Sequence, residues 1–256
     1  MAHTIMFGIQ KGGVGKTMTS GVTAFLLKEE GFRVLAVDMD SQGNLSQFLS
    51  GVEDLAEFEG ETVLEAIKKG DARPYIKMID DQLHLLPADD YLATIPQFLF
   101  REYKGNPSLA LKSCLESVQH YYDYIVIDTP PALSEQTINA LGVANDVVIM
   151  FETSKFCYSA VPRFIETIEA AKERINPDLR IAGILRTLAD SRRSDSTMMV
   201  NLIAEDYPDL VFDTVIHRRA TTGRLPIYGL AESPESKQAF SYHAKFLKEL
   251  KSRVSQ

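Results

Sequence analysis

The chain has 256 residues, of which 45% are hydrophobic, and it carries a formal net charge of −8 at pH 7. This length suffices for one large core, so we expect a single domain over residues 1–256. The acidic charge disfavours general attraction to nucleic acid, and the two cysteines show no metal or redox spacing. No apolar run approaches the roughly 18 residues of a membrane span, so we expect a cytoplasmic protein without a membrane partner.

Apolar runs and helix-like stretches alternate along the chain. This alternation predicts an α/β fold with a doubly wound, mostly parallel sheet and helices on both faces. We expect strands near residues 3–9, 33–38, 83–87, 124–128, 146–151, 181–187 and 211–216. The clearest helices are predicted at residues 134–143 and 161–175. Residues 51–60 and 101–108 are predicted to be loops.

Residues 11–17 read Lys-Gly-Gly-Val-Gly-Lys-Thr, between the first predicted strand and a helix-like stretch. A glycine-rich turn in this context points several backbone N–H groups and the positive end of a helix dipole at one spot. That spot suits a phosphate chain, with Lys16 reaching the β- and γ-phosphates and the Thr17 hydroxyl ligating Mg²⁺. The residues predicted to bind the nucleotide are Gly12, Gly13, Val14, Gly15, Lys16, Thr17 and Met18.

The glycine-rich run departs from the ordinary phosphate-binding pattern at its start. Gln10 stands where the strict pattern has a glycine, and Lys11 is an additional lysine. Lys11 comes too early to replace Lys16 on its own nucleotide, but it can extend across a two-fold interface to the nucleotide of a second subunit. An arginine finger supplies charge in this way in other NTPases. Gly12 would then lie where the two loops meet, and the alternative for Lys11 is a solvated lysine at a loop edge.

Two predicted strands end in aspartates. Asp38 and Asp40 follow the strand near residues 33–38, and Asp128 ends the strand at residues 124–128. The carboxyl ends of parallel strands lie over the crevice where open α/β sheets bind ligands. We predict that Asp128 organises Mg²⁺ and that Asp40 lies at the metal and polarises the attacking water. The alternative is that these are ordinary turn residues at strand ends.

Three segments together resemble the ParA/MinD group of deviant Walker A ATPases, and most closely the ParA/Soj partition ATPases. They are the glycine-rich run at 11–17, Val-Asp-Met-Asp-Ser-Gln-Gly-Asn at 37–44 and Ile-Asp-Thr-Pro-Pro at 127–131. The resemblance implies a P-loop NTPase fold, ATP and Mg²⁺ as ligands, and slow hydrolysis of ATP. It further implies plasmid or chromosome partitioning by an ATP-bound homodimer that binds double-stranded DNA nonspecifically and is then nucleoid-associated. A ParB-like centromere-binding partner would stimulate hydrolysis and release the DNA.

The resemblance also assigns contacts to the sugar and base of the nucleotide. It places Glu152 against the ribose of the partner subunit's nucleotide, the alternative being a loop cap. It places His217 and Arg218 beside the adenine, although the family usually has Pro-Arg-Asn where this chain has residues 217–219.

Basic residues concentrate in one part of the chain. Residues 180–224 contain seven arginines against six acidic residues. ParA-like proteins carry their DNA-contacting residues in these segments, and the resemblance implies a DNA-binding set of Arg192, Arg193, Arg218, Arg219 and Arg224. Contacts to phosphate alone would make the binding sequence-independent and steeply salt-dependent. A solvated face is the alternative for each arginine. We expect no N-terminal helix-turn-helix extension and therefore no operator recognition.

The C-terminal residues 240–254 offer a competing interpretation. Their apolar residues approximate a helical stripe, with lysines among them. MinD-like relatives use a short basic amphipathic helix at this end to bind membranes. We predict instead that the stripe packs on the domain as its last helix. The alternative function is a MinD-like ATPase that positions membrane or protein cargo without binding DNA, and a scaffold ATPase serving conjugation or secretion is a further one.

Overall fold

One sheet organises the computed structural model, which describes residues 1–218 and 234–255 and, for 234–239, the backbone alone. The strands in these ranges are β1 (His3–Gly8), β2 (Val34–Asp38), β3 (Lys77–Met78), β4 (Leu83–Leu86), β5 (Tyr124–Asp128), β6 (Asp146–Glu152), β7 (Arg180–Ala189) and β8 (Val211–His217). Their order is β3-β4-β2-β5-β1-β6-β7-β8, and every neighbouring pair is parallel except β3 with β4. The predicted doubly wound, mostly parallel sheet is confirmed.

The inner strands β2 and β5 are apolar up to the aspartates that end them, because helices cover both faces of the sheet. All of β2 is buried, as are the last four residues of β5. The sequence did not predict β3, whose two residues pair antiparallel with β4 at the sheet edge. A strand of two residues is too short to show a period in its side chains.

Helices connect most of the strands in the described ranges, and a short turn joins β3 to β4. They are α1 (Lys16–Glu29), α2 (Asn44–Ser50), α3 (Val63–Lys69), α4 (Ile95–Arg101), α5 (Ala110–Leu115), α6 (Glu135–Val143), α7 (Lys155–Tyr158), α8 (Ala160–Arg174), α9 (Ser194–Asp206) and α10 (Pro234–Val254). The helices expected at 134–143 and 161–175 correspond to α6 and α8. The expected loop at 51–60 contains a short 3-10 helix, Leu55–Phe58, because Phe58 turns into the protein. The expected loop at 101–108 similarly ends in a 3-10 helix, Pro107–Leu109, which leads into α5.

The last helix packs on the domain, as the sequence predicted. Its apolar stripe is buried, with the Phe246 ring 6.2 Å from Phe7 and 5.0 Å from Phe212 between ring centroids. Glu249 fixes α10 to β8 by accepting the backbone N–H of Asp213 at 2.6 Å and of Thr214 at 3.0 Å. No helix in the described ranges has the length and apolarity to cross a bilayer.

The topology creates a crevice at the carboxyl end of β1. The chain first builds the sheet on one side of β1, through β2 and β4, and then on the other side, from β6 to β8. The loops after β1 and its neighbours therefore diverge, and ligands bind at such switch points. The glycine-rich residues 11–15 follow β1 at this place.

Candidate functional site

The loop between β1 and α1 is shaped by its glycines. Gly13 has a φ of +73° and Gly15 a φ of +81°, in the left-handed region that suits glycine and strains other residues. Gly15 is also the residue before α1, and no side chain caps that end of the helix. The first N–H groups of α1 thus remain available to an anion, which the helix dipole also favours.

The loop forms one wall of a cavity of about 1150 Å³. This is at least the size of ordinary small-molecule sites, which are roughly 300–1000 Å³. All seven residues predicted to bind the nucleotide line it, and Asp40 lines it from the β2 side. The remaining walls are formed by α2 with the loop after it and by two single side chains, Pro131 and Leu188.

Lys16 lies at the floor of the cavity. Its side chain is buried, and Nζ donates a hydrogen bond to the backbone carbonyl of Lys11 at 3.0 Å. Burial lowers the pKa of Lys16, and the neighbouring carboxylates of Asp128 and Asp40 oppose that shift. An ammonium group bonded only to a loop carbonyl can exchange that bond for a stronger one to a phosphate oxygen.

Asp128 and Thr17 form a pair of oxygen ligands suitable for a hard cation. The Thr17 hydroxyl donates to Asp128 Oδ2 at 2.6 Å, whereas Asp128 Oδ1 is buried and has no hydrogen-bond partner. Burial raises the pKa of Asp128 to about 7, and the neighbouring Asp38 adds to the shift. An orphaned, buried carboxylate oxygen beside a hydroxyl fits Mg²⁺, which binds proteins through one or two carboxylates plus substrate phosphates.

Asp38 shapes the loop that carries Asp40, a role that the sequence did not assign. Its buried carboxylate accepts the Ser46 N–H and hydroxyl at 2.8 Å each, and the Asp40 N–H at 3.1 Å. Burial raises the pKa of Asp38 to about 6 despite these bonds. Asp38 lies beside Asp128 in the register of β2 and β5. Its position at the end of a buried strand, two residues before Asp40, was the signal available in the sequence.

Lys11 and Gly12 lie at the outer rim of the cavity. Lys11 Nζ is 5.9 Å from the ring centroid of Phe156, whose side chain is 78% exposed. Gly12 is exposed, and a Cβ added there would meet, among the described residues, Pro131 Cβ at an ordinary 3.8 Å. One chain therefore has room for a side chain at position 12, and the contact of both residues with a second subunit stays a prediction.

The residues assigned to ribose and adenine lie outside this cavity, along the same edge of the sheet. Glu152 ends β6 and is in register with Thr187 of β7, and His217 ends β8 in register with Ala189. The His217 ring packs 5.3 Å from the ring of Tyr242 on α10. Arg218 follows and is exposed. Their contacts with a nucleotide stay predictions.

The predicted DNA-binding arginines are partly neutralised by neighbouring carboxylates. Arg192 donates to both oxygens of Asp190 at 3.0 Å, and Arg193 to both oxygens of Asp195 at 3.1 and 2.6 Å. Arg192 and Arg193 are nevertheless exposed, and ion pairs between exposed side chains contribute little to stability. Two further members of the set, Arg219 and Arg224, lie outside the described residues.

One of the arginines in residues 180–224 is not at the surface. Arg186 belongs to its seven arginines, but the side chain is buried between β7 and β8, where it donates to the Phe212 carbonyl at 2.5 Å. The pairing of the two strands is irregular on either side of this residue. The Arg186 guanidinium therefore takes the place of some backbone hydrogen bonds between β7 and β8, and it adds no charge to the surface.

Comparisons with known proteins agree with this geometry. A family model described as an AAA domain matches residues 2–181. The sporulation initiation inhibitor protein Soj of Bacillus subtilis is 33% identical over 250 residues, which cover 94% of this chain and 96% of Soj. The chromosome partitioning protein ParA of Myxococcus xanthus is 32% identical over 233 residues, which cover 90% of this chain and 80% of ParA.

Solved structures of other proteins also match this chain over nearly its whole length. One is a cobyrinic acid a,c-diamide synthase from Mycobacterium smegmatis with a bound ATP analog and magnesium. It has a TM-score of 0.83 and 30% sequence identity, and the match covers 97% of this chain and 93% of that one. Because this match covers 97% of the chain, it extends beyond residues 2–181 of the family model.

Proposed function

The chain belongs to the ParA/Soj family of partition ATPases, and from this premise we propose that it is an ATP-dependent switch for partitioning DNA. In this proposal, two ATP-bound chains form a homodimer that binds double-stranded DNA nonspecifically. Slow hydrolysis, stimulated by a ParB-like partner, dissolves the dimer and releases the plasmid or chromosome. The observation that carries the proposal is the glycine-rich cavity with Lys16 at its floor and the orphaned Asp128 oxygen beneath Thr17.

The cavity supports ATP with Mg²⁺ as the ligands. The loop amides of residues 12–17 and the Lys16 ammonium would hold the phosphates, while Thr17 and Asp128 would hold the metal. Mg²⁺ would neutralise charge on the phosphates and orient them for attack. The M. smegmatis relative with its bound ATP analog and magnesium supports this assignment.

Hydrolysis requires a water molecule aligned with the terminal phosphate. Asp40 is a carboxylate on the cavity wall, and two hydrogen bonds fix its loop. The Asp40 N–H donates to Asp38 Oδ1 at 3.1 Å, and the Gln42 N–H donates to Asp40 Oδ1 at 3.1 Å. A carboxylate held in this way can accept a hydrogen bond from the attacking water. Lys11 of the second subunit would add positive charge as the transition state forms, so turnover would depend on dimerisation.

The dimer would meet through the rim of the cavity. Gly12, Lys11 and Phe156 are all found there, and a glycine lets two loops approach closely. Dimerisation would bring two copies of the arginine segments onto one surface. Since the whole chain carries a charge of −8, DNA binding would depend on this local concentration of charge and fall steeply with salt.

The pairing of Arg192 and Arg193 with aspartates favours one alternative, an ATPase of the same fold that positions protein cargo without binding DNA. The membrane-bound form of that alternative loses its main support, because the apolar stripe of α10 is buried against the domain. The two functions share the nucleotide site and differ only in what the dimer binds.

The decisive experiment is DNA binding by Asp40→Ala, which should hold ATP without turning it over. We would measure its affinity for a nonspecific duplex with ATP, with ADP and without nucleotide, across a salt series. Asp81→Ala, an exposed aspartate in the turn before β4, is the matched control and should still hydrolyse ATP. Binding that needs ATP and falls steeply with salt supports the partition switch. An ATP-dependent dimer that binds no DNA at low salt would favour the protein-cargo alternative.

A further inference from the structure

The end of β7 contains an unusual backbone conformation. Leu188 has a φ of +52°, and among the described residues other than glycine it alone has a positive φ. Leucine adopts this region rarely because its Cβ crowds the following carbonyl. Conformations of this kind persist only where the surroundings enforce them, and they cluster at ligand sites.

Hydrogen bonds on both sides of Leu188 enforce the conformation. The Thr187 hydroxyl donates to the Val14 carbonyl of the glycine-rich loop at 2.8 Å. On the other side, the Ala189 carbonyl accepts the Arg218 N–H at 2.9 Å. One neighbour of Leu188 is thus tied to the phosphate loop, and the other to the end of β8.

This conformation directs the Leu188 side chain into the cavity. Thr187 and Ala189 are buried, whereas Leu188 is half-buried and lines the cavity wall. Its Cγ lies 4.0 Å from the place that a Cβ on Gly15 would occupy, so the side chain covers the end of the glycine-rich loop. An apolar side chain at this place can exclude water from a ligand but cannot bind a phosphate.

The position of Leu188 along the sheet edge indicates what it contacts. The phosphate loop lies on one side of it, and the paired ends of β7 and β8, with His217 and Arg218, lie on the other. A nucleotide with its phosphates in the loop and its base toward β8 must pass over Leu188. We propose that Leu188 is a nucleoside-contacting residue, whose side chain packs against the ribose and base of bound ATP. This inference rests on the proposed function of the cavity as an ATP site.

The test separates nucleoside contact from phosphate contact. We would measure the affinities of the full chain for ATP and for inorganic tripolyphosphate, both with Mg²⁺, by calorimetry. Because removal of apolar contact in a pocket costs about 10–200-fold, Leu188→Ala should weaken ATP by roughly 10-fold and leave tripolyphosphate unchanged. Leu188→Met, which restores a long apolar side chain, should recover most of the ATP affinity.

Three results would overturn the proposal. Equal losses for ATP and tripolyphosphate would mean that Leu188 only shapes the phosphate loop. Unchanged binding of both ligands by Leu188→Ala would mean that the side chain touches neither. A wild-type chain that binds tripolyphosphate but gains nothing from the nucleoside of ATP would also contradict it. A wild-type chain that binds neither ligand would instead refute the ATP site itself, so the two failures are distinguishable.

Discussion

Two neighbouring stretches of the same sheet edge are built on different principles. Around β1, the loop at residues 11–17 contributes mainly backbone groups. The Lys16 ammonium donates a hydrogen bond to the Lys11 carbonyl, and the Thr17 hydroxyl donates one to Asp128. From β6 to β8, the edge depends on side chains contributed by three strands and the loops after them, including Glu152, Asp190 and His217. The first stretch is a contiguous segment with its own geometry, whereas the second exists only once distant strands have paired.

The largest effect should come from the stretch around β1, through Lys16. Lys16→Ala removes a buried ammonium that lies near the carboxylates of Asp128 and Asp40. We expect ATP affinity to fall by about 10²-fold or more, as when one partner of a buried charge pair is removed. Calorimetry with Mg²⁺ and ATP measures this, and Lys28→Ala on the same helix, whose partners Glu29 and Asp80 lie at the surface, is the control. Retained ATP-dependent dimerisation by Lys16→Ala would contradict the assignment of the phosphate site.

Asp128→Asn should have opposite effects with and without ligand. Burial raises the pKa of Asp128 from its ordinary value of 3.8 to about 7. Between these values the folded state holds a proton that the unfolded state releases, so the free energy of unfolding falls as pH rises through this window. Without ligand, the Asp128→Asn variant should not lose this stability as pH rises. Its free energy of unfolding should exceed that of the wild-type protein by roughly 1–3 kcal/mol at about pH 8.

The same substitution removes a metal ligand from the proposed site. With Mg²⁺ and ATP, wild-type protein should therefore gain thermal stability that Asp128→Asn does not. Thermal unfolding across pH, with and without Mg²⁺ and ATP, measures both effects. A residual slope in the mutant is expected from Asp38, whose pKa burial raises to about 6. A mutant that is less stable without ligand at high pH and equally stabilised by Mg²⁺ and ATP would contradict the metal assignment.

Gly12→Val tests whether the stretch around β1 also forms the interface. Position 12 has room within one chain, so the variant should fold and bind ATP normally. An added side chain at a close-packed interface costs about 1–3 kcal/mol or more, which should weaken the ATP-dependent dimer by at least about 5-fold. Light scattering after size exclusion measures the dimer, and calorimetry measures ATP. Dimerisation at wild-type strength would show that the loops do not meet at Gly12.

The same contrast explains how far the sequence alone could lead. Residues 11–17 carry their function in a short pattern, because glycine positions fix the backbone and the backbone binds phosphate. The parallel sheet was equally predictable, since buried strands such as β2 and β5 are apolar up to the aspartates that end them. The role of Leu188 had no signal, because a leucine near the end of an apolar strand looks like any core residue. The burial of Arg186, one of the seven arginines counted in residues 180–224, also had no signal, because the irregular pairing of β7 with β8 arises only in the folded sheet.

The smallest effects are expected in the stretch from β6 to β8, where Asp190 and Arg192 provide a matched pair of substitutions. The Arg192 guanidinium lowers the pKa of Asp190 to about 2, so this carboxylate stays charged in any ordinary buffer. Asp190→Asn removes that charge, so the Arg192 guanidinium loses its ion-pair partner. If Arg192 contacts DNA phosphate, freeing it should strengthen nonspecific binding a few-fold, and Arg192→Gln should weaken binding and reduce the salt slope by about 1.

Fluorescence anisotropy of a labelled duplex over a salt series, with ATP and in the Asp40→Ala background, measures both. Opposite shifts from the two substitutions would place Arg192 on the DNA. Equal affinities and slopes would mean that the pair only holds its own loop, and that the DNA surface, if the dimer has one, is formed by other residues of the second stretch.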